Sequence, residues 1–571
     1  MNKILCGDFE TTIGDQHLEP KNRETEVWLS CFCAVSDLEN RETYKIQTNI
    51  KDFFIQLVDY CNDFYQSNKV DTFICFFHNL KFDGSFMINY FINNDLPYES
   101  FISDMGQWYS ITIHLPEYDI VFRDSLKVMA FTLRKIAKDF NFPTPKGETP
   151  LLEFPPDSIL PEWIEYIKTD VEILARAMKL LYFDGGITKY TSASEALSKF
   201  KETVNFRELF PILDYETDSY LRKAYRGGWS FVNPLYKNKE INLPIEVYDI
   251  NSMYPSKMLK YPMPYGKPKF IEGSPIRDYY FIARVMLCLE LKPNHLPTLQ
   301  IKSRKVCLEL GIKSTDYITT TYGKFYEVTL TNFDLELIYN HYDYEIEFLD
   351  HYAFKAKIGI FDEYVNKWKE VKEHAKNGSI ERYLAKLYQN SLYGKFGSRT
   401  EEQQKIPYLK DGRLAFELSE PEQVKPNYIA VACFITSISR RDIITDAQNN
   451  YYRFLYSDTD SLHMISDKYS SGDIQGEIKL PIHGSEYGYY KLEKVASRGK
   501  YLRSKLYIEE TENGVDVVGA GMTDEIKAQV NFDNFHFGSV FEGKRATKQV
   551  KGGMIIYNTT FEIKESVYNL F

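Results

Sequence analysis

Apolar runs of strand length alternate with helical patterns over the first 190 residues of the chain. Residues 4–6 and 73–77 are uninterrupted apolar runs, and residues 161–182 repeat apolar positions at helical spacing. This alternation is typical of an α/β domain. A further run at 245–254 predicts a strand that ends at Pro255.

The rest of the chain changes pattern several times. Residues 262–360 are rich in proline, glycine and short β-like runs, and they are too many for a structureless loop, so they predict a folded insertion. Residues 361–396 have helical periodicity. Residues 407–418 place Asp411-Gly412 between alternating flanks, which predicts a β-hairpin. Gly552-Gly553 lies between β-type segments of a small terminal module.

Composition sets limits on these interpretations. The chain has 571 residues with a net charge of −11, which does not favour nucleic-acid binding. Residues 491–505, however, carry six basic side chains against Glu493 alone. The eight cysteines include no Cys-x-x-Cys pair and predict reduced thiols of a cytosolic protein. The N-terminal apolar run is too short for a signal peptide, and no stretch is long enough to span a membrane.

A first group of carboxylates lies in three separated segments. Asp8 and Glu10 share one face of a predicted strand, Asp83 follows the run at 73–77, and Tyr166 and Asp170 share a helix face. Each piece alone is more often a solvated surface. Together they suit a site for two metal ions about 3.5–4 Å apart that cleaves a phosphodiester, with the tyrosine positioning water.

A second group joins carboxylates to a basic helix. Asp249 ends a predicted strand, and Asp458 and Asp460 lie at the tip of a predicted hairpin. One helical stripe between them contains Arg382, Lys386, Asn390 and Tyr393. Two metals and a cation stripe would serve nucleotidyl transfer, because the triphosphate charge must be neutralised. A solvated helix face and ordinary turn chemistry are the alternatives for each feature alone.

These motifs, in this order and spacing, resemble those of the protein-primed family B DNA polymerases, specifically those of phi29-like bacteriophages. The resemblance implies exonuclease metals on Asp8, Glu10, Asp83 and Asp170, with Tyr166 and Lys146 also catalytic. It implies contacts to the single-stranded primer end from Thr11, Asn79, Phe82, Phe86, Ser125 and Leu126. Glu148 stands where relatives carry aspartate, and Ser457 where they carry cysteine.

The polymerisation motifs are assigned by the same resemblance. It implies metals on Asp249, the carbonyl of Ile250 and Asp460, with Asp458 as the supporting acid. Tyr254 would exclude a ribose 2′-hydroxyl. The implied nucleotide contacts are Lys372, Lys386, Asn390 and Tyr393. The implied DNA contacts are Tyr225, Arg226, Gly227 and Gly228 in a linker motif, Thr436 and Arg440 on the template, and Lys505 and Tyr507 on the primer.

The implied fold is α/β and α+β, with an RNase H-like 3′-5′ exonuclease domain followed by a right-hand polymerase. The expected parts are exonuclease (1–190), palm (191–261 and 430–520), a terminal-protein-contacting insertion (262–360), fingers (361–396), an inserted hairpin arm for processivity and strand displacement (397–429) and thumb (521–571).

The implied cofactors are two Mg²⁺ or Mn²⁺ ions per active site, and the implied ligands are primer–template DNA and dNTPs. The expected protein partner is a terminal protein that primes replication of a viral genome. The chain itself is expected to be a monomer or to form a heterodimer with that protein. No membrane partner is expected. The expected location is the cytoplasm of an infected bacterial host, without secretion. Two alternatives stay open: a polymerase that extends only nucleic-acid primers, and a single-strand 3′-5′ exonuclease with a DNA-binding C-terminal part.

Overall fold

A computed structural model describes residues 3–147, 151–275, 280–301 and 303–565. Strands and helices alternate in its N-terminal part, as predicted. They are β1 (Lys3–Thr11), β2 (Val27–Ala34), β3 (Lys45–Gln47), α1 (Ile50–Asn68), β4 (Thr72–Phe77), α2 (Leu80–Asn93), β5 (Glu99–Ile102), β6 (Trp108–His114), β7 (Asp119–Asp124), α3 (Leu133–Asp139) and α4 (Pro161–Met178). The sheet order is β3-β2-β1-β4-β7-β6-β5, and β1, β4 and β7 are parallel.

The next segment leads into a second sheet. Its elements are α5 (Ser192–Lys201), α6 (Phe206–Leu209), α7 (Tyr215–Arg222), β8 (Ser230–Val232), β9 (Glu240–Ile241), β10 (Ile245–Ile250) and α8 (Met253–Lys260). The prediction that a strand continues to Pro255 is wrong: β10 ends at Ile250, and Pro255 lies in the first turn of α8. Proline is tolerated there because a first-turn N–H has no intrahelical acceptor.

Residues 262–360 form a folded unit, as predicted. The unit comprises β11 (Met263–Glu272), β12 (Tyr280–Leu291), α9 (Arg304–Leu310), β13 (Tyr326–Thr331), α10 (Asn332–His341) and β14 (Tyr342–Lys357). The strand order is β11-β14-β12-β13, and inward-facing side chains such as Val285, Leu287 and Leu330 form a core of its own.

The predicted helical stretch 361–396 is two helices, α11 (Asp362–His374) and α12 (Ile380–Phe396). Gly378 separates them with a φ of 78°, a conformation that glycine adopts without strain. The strands β15 (Glu401–Glu402), β16 (Lys405–Lys410), β17 (Arg413–Leu418) and β18 (Glu422–Gln423) follow. Asp411 and Gly412 both have positive φ between β16 and β17, which confirms the predicted hairpin.

The C-terminal part completes the second sheet. Its elements are α13 (Ile429–Asn449), β19 (Phe454–Asp458), β20 (Ser461–Ile465), β21 (Tyr490–Arg503), β22 (Leu506–Thr511), β23 (Gly514–Gly519), α14 (Asp524–Lys527), β24 (Val540–Val550) and β25 (Gly553–Glu562). The sheet order is β23-β22-β21-β10-β20-β19-β8, with β9 on β21. Strands β24 and β25, the β-type segments predicted on either side of Gly552, pair as a terminal hairpin.

The parts of the chain share cores rather than standing apart. One continuous core contains Ile4 and Val171 of the N-terminal part, Tyr388 of α12 and Phe434 of α13. The terminal hairpin packs on α2, where Gly553 lies against the ring of Phe86. All eight cysteines are free, as predicted, and seven are buried while Cys288 is half-buried. Among the described residues, no helix is long and apolar enough to cross a bilayer.

Candidate active sites

The four carboxylates of the first group occupy three elements around the N-terminal sheet. Asp8 and Glu10 are half-buried on one face of β1, and Phe9 between them is buried on the other face against Phe53 and Phe77. Asp83 on α2 and Asp170 on α4 are only 3% and 2% exposed.

Burial and mutual repulsion make this group of acids hard to ionise. Burial, with a smaller contribution from Asp170, raises the pKa of Asp8 to about 7. Burial and the charge of Asp8 raise the pKa of Asp83 well above its usual range. Burial also raises the pKa of Asp170, although hydrogen bonds from Lys146 and Tyr166 oppose this. The negative charges of these acids repel one another and are poorly solvated. A bound cation would therefore stabilise their ionised forms.

Lys146 is the cation nearest to this group. Its ammonium forms an ion pair with Oδ2 of Asp170, and the carboxylates of Asp170 and Asp8 raise its pKa despite burial. The other oxygen of Asp170, Oδ1, is buried without a hydrogen-bond partner. An acceptor of this kind fits a hard divalent cation. In the described ranges, however, no three His, Cys, Asp or Glu side chains converge closely enough to form a ready-made metal cage.

The residues predicted to hold a single-stranded primer end differ in accessibility. Asn79 is exposed with a φ of 71° at the start of α2, and Thr11, Phe82 and Leu126 are half-buried. Two predicted contacts lie beneath the surface. Ser125 is buried with its hydroxyl 2.9 Å from Nδ1 of His78, and Phe86 is 2% exposed under Gly553. Phe86 could therefore contact DNA directly only if the terminal hairpin moved, and Ser125 only if the segment after β7 moved.

The second group of carboxylates lies at the centre of the second sheet. Asp249 on β10 pairs with Ser461 on β20, and the N–H of Ile250 donates to the carbonyl of Asp460 over 2.9 Å. Thr459 has a φ of 66° at the turn between β19 and β20. The predicted hairpin thus presents its acids next to Asp249. Burial and the charge of Asp249 raise the pKa of Asp460 to about 6.

Lysines contact these acids from the neighbouring strand and turn. Lys505 lies 3.0 Å from both oxygens of Asp458, and Lys491 lies 3.7 Å from Asp249. The pKa of Asp249 is raised by burial and by Glu493, and Lys491 opposes this. Sequence reasoning assigned no site role to Lys491 or Glu493. Their i, i+2 spacing hinted at a shared strand face, but only the pairing of β21 with β10 brings them to the site.

The predicted stripe on α12 is present. Lys386 and Asn390 are exposed, Arg382 and Tyr393 are half-buried, and Leu384 and Tyr388 are buried on the opposite side. The ring of Tyr393 lies 4.0 Å from that of Tyr254, between centroids.

Lys372 on α11 joins this basic surface. Its ammonium lies 3.1 Å from Oγ of Ser252. Burial and the neighbouring cation of Arg382 lower the pKa of both Lys372 and Lys386. Several cations held this close favour an anionic ligand.

The predicted linker motif runs between α7 and β8 and touches several parts of the site. A Cβ at Gly228 would lie 2.6 Å from Cγ2 of Thr459, and the N–H of Thr459 donates to the carbonyl of Trp229 over 2.8 Å. A Cβ at Gly397, at the end of α12, would lie 2.8 Å from the ring of Tyr225. The linker motif therefore contacts both the hairpin of β19 and β20 and the basic helix α12.

Three residues predicted to contact DNA are buried in the fold. Thr436 is 1% exposed and its hydroxyl donates to the carbonyl of Ala432. Arg440 is 3% exposed, forms an ion pair of 2.6 Å with Asp334 and donates to the carbonyls of Arg226 and Gly227. The side chain of Arg226 is also buried. These side chains support the linker motif rather than line a surface, because a buried arginine needs its hydrogen-bond acceptors.

The two predicted primer contacts, Lys505 and Tyr507, lie on either side of the start of β22. Lys505 is exposed, and Tyr507 is half-buried in an aromatic group with Tyr456, Tyr501 and His463. Glu148 lies outside the described residues.

One acidic group on the N-terminal sheet and a second acidic group beside the basic helix α12 are the arrangement expected of an enzyme that acts on phosphodiester bonds. Comparison with known proteins agrees. The family model "DNA polymerase type B, organellar and viral" matches residues 65–155 and 152–471. The chain belongs to this family of type B DNA polymerases.

Several phage relatives cover nearly the whole chain. The DNA polymerase of Streptococcus phage Cp-1 is 45% identical over 582 residues, spanning 100% of both chains. Phi29 DNA polymerase complexed with primer-template DNA matches with a TM-score of 0.86 at 33% identity, covering 99% of this chain and 100% of that one. Its complex with primer-template DNA and incoming nucleotides matches at 0.85. The predicted family, fold class and enzyme class, a DNA-directed DNA polymerase with an exonuclease domain, are confirmed.

Proposed function

We propose that this chain replicates a viral genome from a protein primer and proofreads its product by 3′-5′ exonuclease action. The observation that carries the proposal is the presence, in one chain, of two separate, partly buried acidic groups, the second of which lies beside the basic stripe of α12. Divalent cations bound at each site would activate the attacking oxygen and stabilise the leaving oxygen.

At the polymerase site, Asp249 and Asp460 would hold the cations, with the Ile250 carbonyl as a further ligand and Asp458 as the supporting acid. Lys386, Lys372 and Arg382 would neutralise the triphosphate, because their charges already lie close together on α11 and α12. Lys505 forms an ion pair with Asp458 and would release it when the primer binds.

Tyr254 and Tyr393 would form the floor under the nucleotide sugar. Their rings are in contact, so neither can retreat to admit a 2′-hydroxyl. Asn390, one turn before Tyr393 on the same face of α12, would line the nascent base pair.

At the exonuclease site, Asp8, Glu10, Asp83 and Asp170 would hold the cations. Tyr166 lies one turn before Asp170 on α4 and would orient the attacking water. Lys146 neutralises Asp170 and would stabilise negative charge on the cleaved phosphate. Asn79 and Phe82 lie beside this site at the start of α2 and would receive the frayed primer end.

The domain assignment is part of the proposal. The insertion formed by β11 to β14 would contact the terminal protein, and the hairpin of β16 and β17 would enclose DNA ahead of the site. The arm reaches the exonuclease part and the terminal hairpin: Leu414 is buried in the N-terminal core, and Arg413 pairs with Lys551. Such closure supports processive, strand-displacing synthesis.

A gel assay tests both sites. A 5′-labelled primer on a longer template is incubated with Mg²⁺, with and without dNTPs, using Asp249→Asn and Asp8→Asn beside the wild type. Extension should be lost only in Asp249→Asn, and shortening only in Asp8→Asn. Shortening without extension in every protein would leave a nuclease with a DNA-binding C-terminal part.

A second assay tests protein priming. The polymerase is incubated with labelled dNTP and a candidate terminal protein, and transfer of label to a protein hydroxyl is scored. Extension of DNA primers without any labelled protein would favour the alternative of a conventional nucleic-acid-primed polymerase.

A further inference from the structure

A flank of the basic helix α12, next to its cationic stripe, packs against the N-terminal part of the chain that carries the first acidic group. Lys386 is exposed on α12, and Tyr383, three residues earlier, is half-buried on the adjoining flank of the helix. The ring of Tyr383 lies between Phe131 and Phe140, with centroid distances of 6.1 and 5.8 Å and edge-to-face geometry. Its hydroxyl donates to the carbonyl of Val128 over 3.2 Å. Edge-to-face pairs of this kind stabilise contacts beyond simple area burial.

A second contact lies beside the first. Gly378, just before α12, approaches the C-terminal end of α3 so closely that a Cβ there would lie 2.9 Å from the carbonyl oxygen of Asp139. Backbone therefore touches backbone, and a glycine is required both for this approach and for its positive φ. The N-terminal end of α12 is thus held on two sides by α3 and the segments next to it.

The same end of the helix carries the cations assigned to the nucleotide. Arg382 adjoins Tyr383 in sequence, and Lys386 follows one turn later. Arg382 also donates to the backbone carbonyl of Lys372, which ties α11 to α12. A contact that fixes the first turn of α12 therefore also fixes the positions of Arg382, Lys372 and Lys386 relative to the acids of the second sheet.

We propose that Tyr383 is a positioning residue for nucleotide binding, which uses the exonuclease part of the chain as the support that holds the triphosphate-binding turn of α12 in place. The inference depends on the proposed role of Lys386 and deepens it. Without the support, the turn must be ordered when the nucleotide binds, and this ordering weakens binding without changing the reacting groups.

The effect should fall on KM rather than on kcat. In Tyr383→Ala the KM for dNTP should rise about tenfold, while kcat at saturating dNTP stays within about twofold, the pattern expected when uniform binding is lost. Tyr383→Phe keeps both ring contacts and loses only the hydroxyl, so its KM should rise by no more than about threefold. Exonuclease activity on single-stranded DNA should remain at the wild-type rate in both variants.

The exonuclease side of the contact gives the sharpest test. Phe131→Ala should reproduce the rise in the KM for dNTP, although Phe131 lies outside the polymerase part. Tyr364→Phe is the matched control, because Tyr364 also donates to a backbone carbonyl, that of Tyr388 within the fingers, over 3.0 Å. Its KM should be unchanged. Melting temperatures of all variants separate loss of fold from loss of positioning.

The outcomes are distinguishable. If Lys386→Ala leaves the KM for dNTP unchanged, the proposed nucleotide site is wrong. If Lys386→Ala raises KM but Tyr383→Ala and Phe131→Ala do not, the site stands and the positioning role is refuted. The positioning role is also refuted if kcat falls in both Tyr383→Ala and Tyr364→Phe in proportion to the loss of melting temperature. A merely structural residue would give that result.

Discussion

Substitution of Gly228 by alanine tests how tightly the linker motif holds the catalytic hairpin. The new Cβ would lie 2.6 Å from Cγ2 and 2.9 Å from Oγ1 of Thr459. Ordinary carbon contacts are about 3.5–4.0 Å, so the two groups must separate by roughly 1 Å. Thr459 stands between Asp458 and Asp460, and its N–H is bonded to the carbonyl of Trp229, so the turn cannot shift without moving an acid.

A displacement of about 1 Å in reacting geometry can slow catalysis about 100-fold. We therefore expect Gly228→Ala to lower the rate of single-nucleotide incorporation by on the order of 10²-fold at saturating primer–template and dNTP. Exonuclease activity on single-stranded DNA should be unchanged, because its acids lie on β1, α2 and α4. The assay is rapid-quench incorporation beside a degradation time course on one enzyme preparation.

Gly227→Ala is the matched control, because a Cβ at Gly227 meets nothing within 4 Å and its φ is ordinary. Its incorporation rate at saturating DNA should equal that of the wild type, and any loss of a DNA contact there would appear only in the DNA dissociation constant. Equal rates for Gly228→Ala and wild type, or equal losses in both glycine variants, would refute the reasoning.

Three further outcomes are expected. Lowering the pH from 8 to 6 should raise the Mg²⁺ concentration for half-maximal exonuclease activity about tenfold, but that for polymerisation only about twofold. The reason is that the cation must displace a proton from Asp8, whose pKa burial raises to about 7, or from Asp460, whose pKa burial raises to about 6. Equal shifts of the two activities in a metal titration would contradict this. Lys146→Met should reduce exonuclease about 10²–10³-fold and leave primer extension intact, since only the charge beside Asp170 is lost; a gel with single-stranded substrate measures it. Arg440→Met should cost about 3–5 kcal/mol in urea unfolding because Asp334 is left buried and unpaired; a loss no larger than that of an exposed ion pair would overturn it.

The elements that sequence could predict are those set by local pattern. The strand that carries Asp8, the hairpin at Asp411-Gly412 and the turn at Thr459 follow from alternation and from residues that accept positive φ. The stripe on α12 follows from helical spacing. Each depends on a few neighbouring residues, so the chain itself contains the information.

The features that sequence reasoning missed are set by distant contacts. The strand at Asp249 ends early because α8 begins there, and proline in a first helical turn looks the same in sequence as proline after a strand. The burial of Arg440 and Phe86 depends on α10 and on the terminal hairpin, far away in sequence. Lys491 and Glu493 reach the acids only through the pairing of β21 with β10.

The burial of the cysteines has a practical consequence for watching this enzyme at work. The thiolate is the reactive form, and burial raises the pKa of Cys75 and Cys433 above the usual range, so buried thiols of this kind should react slowly with maleimides at neutral pH. The half-buried Cys288 would first be replaced by serine. A cysteine placed at Tyr322, 70% exposed on the insertion, would then be the fastest-reacting thiol. Paired with a second label on the hairpin arm, it would report the distance between these two parts as DNA is bound and released.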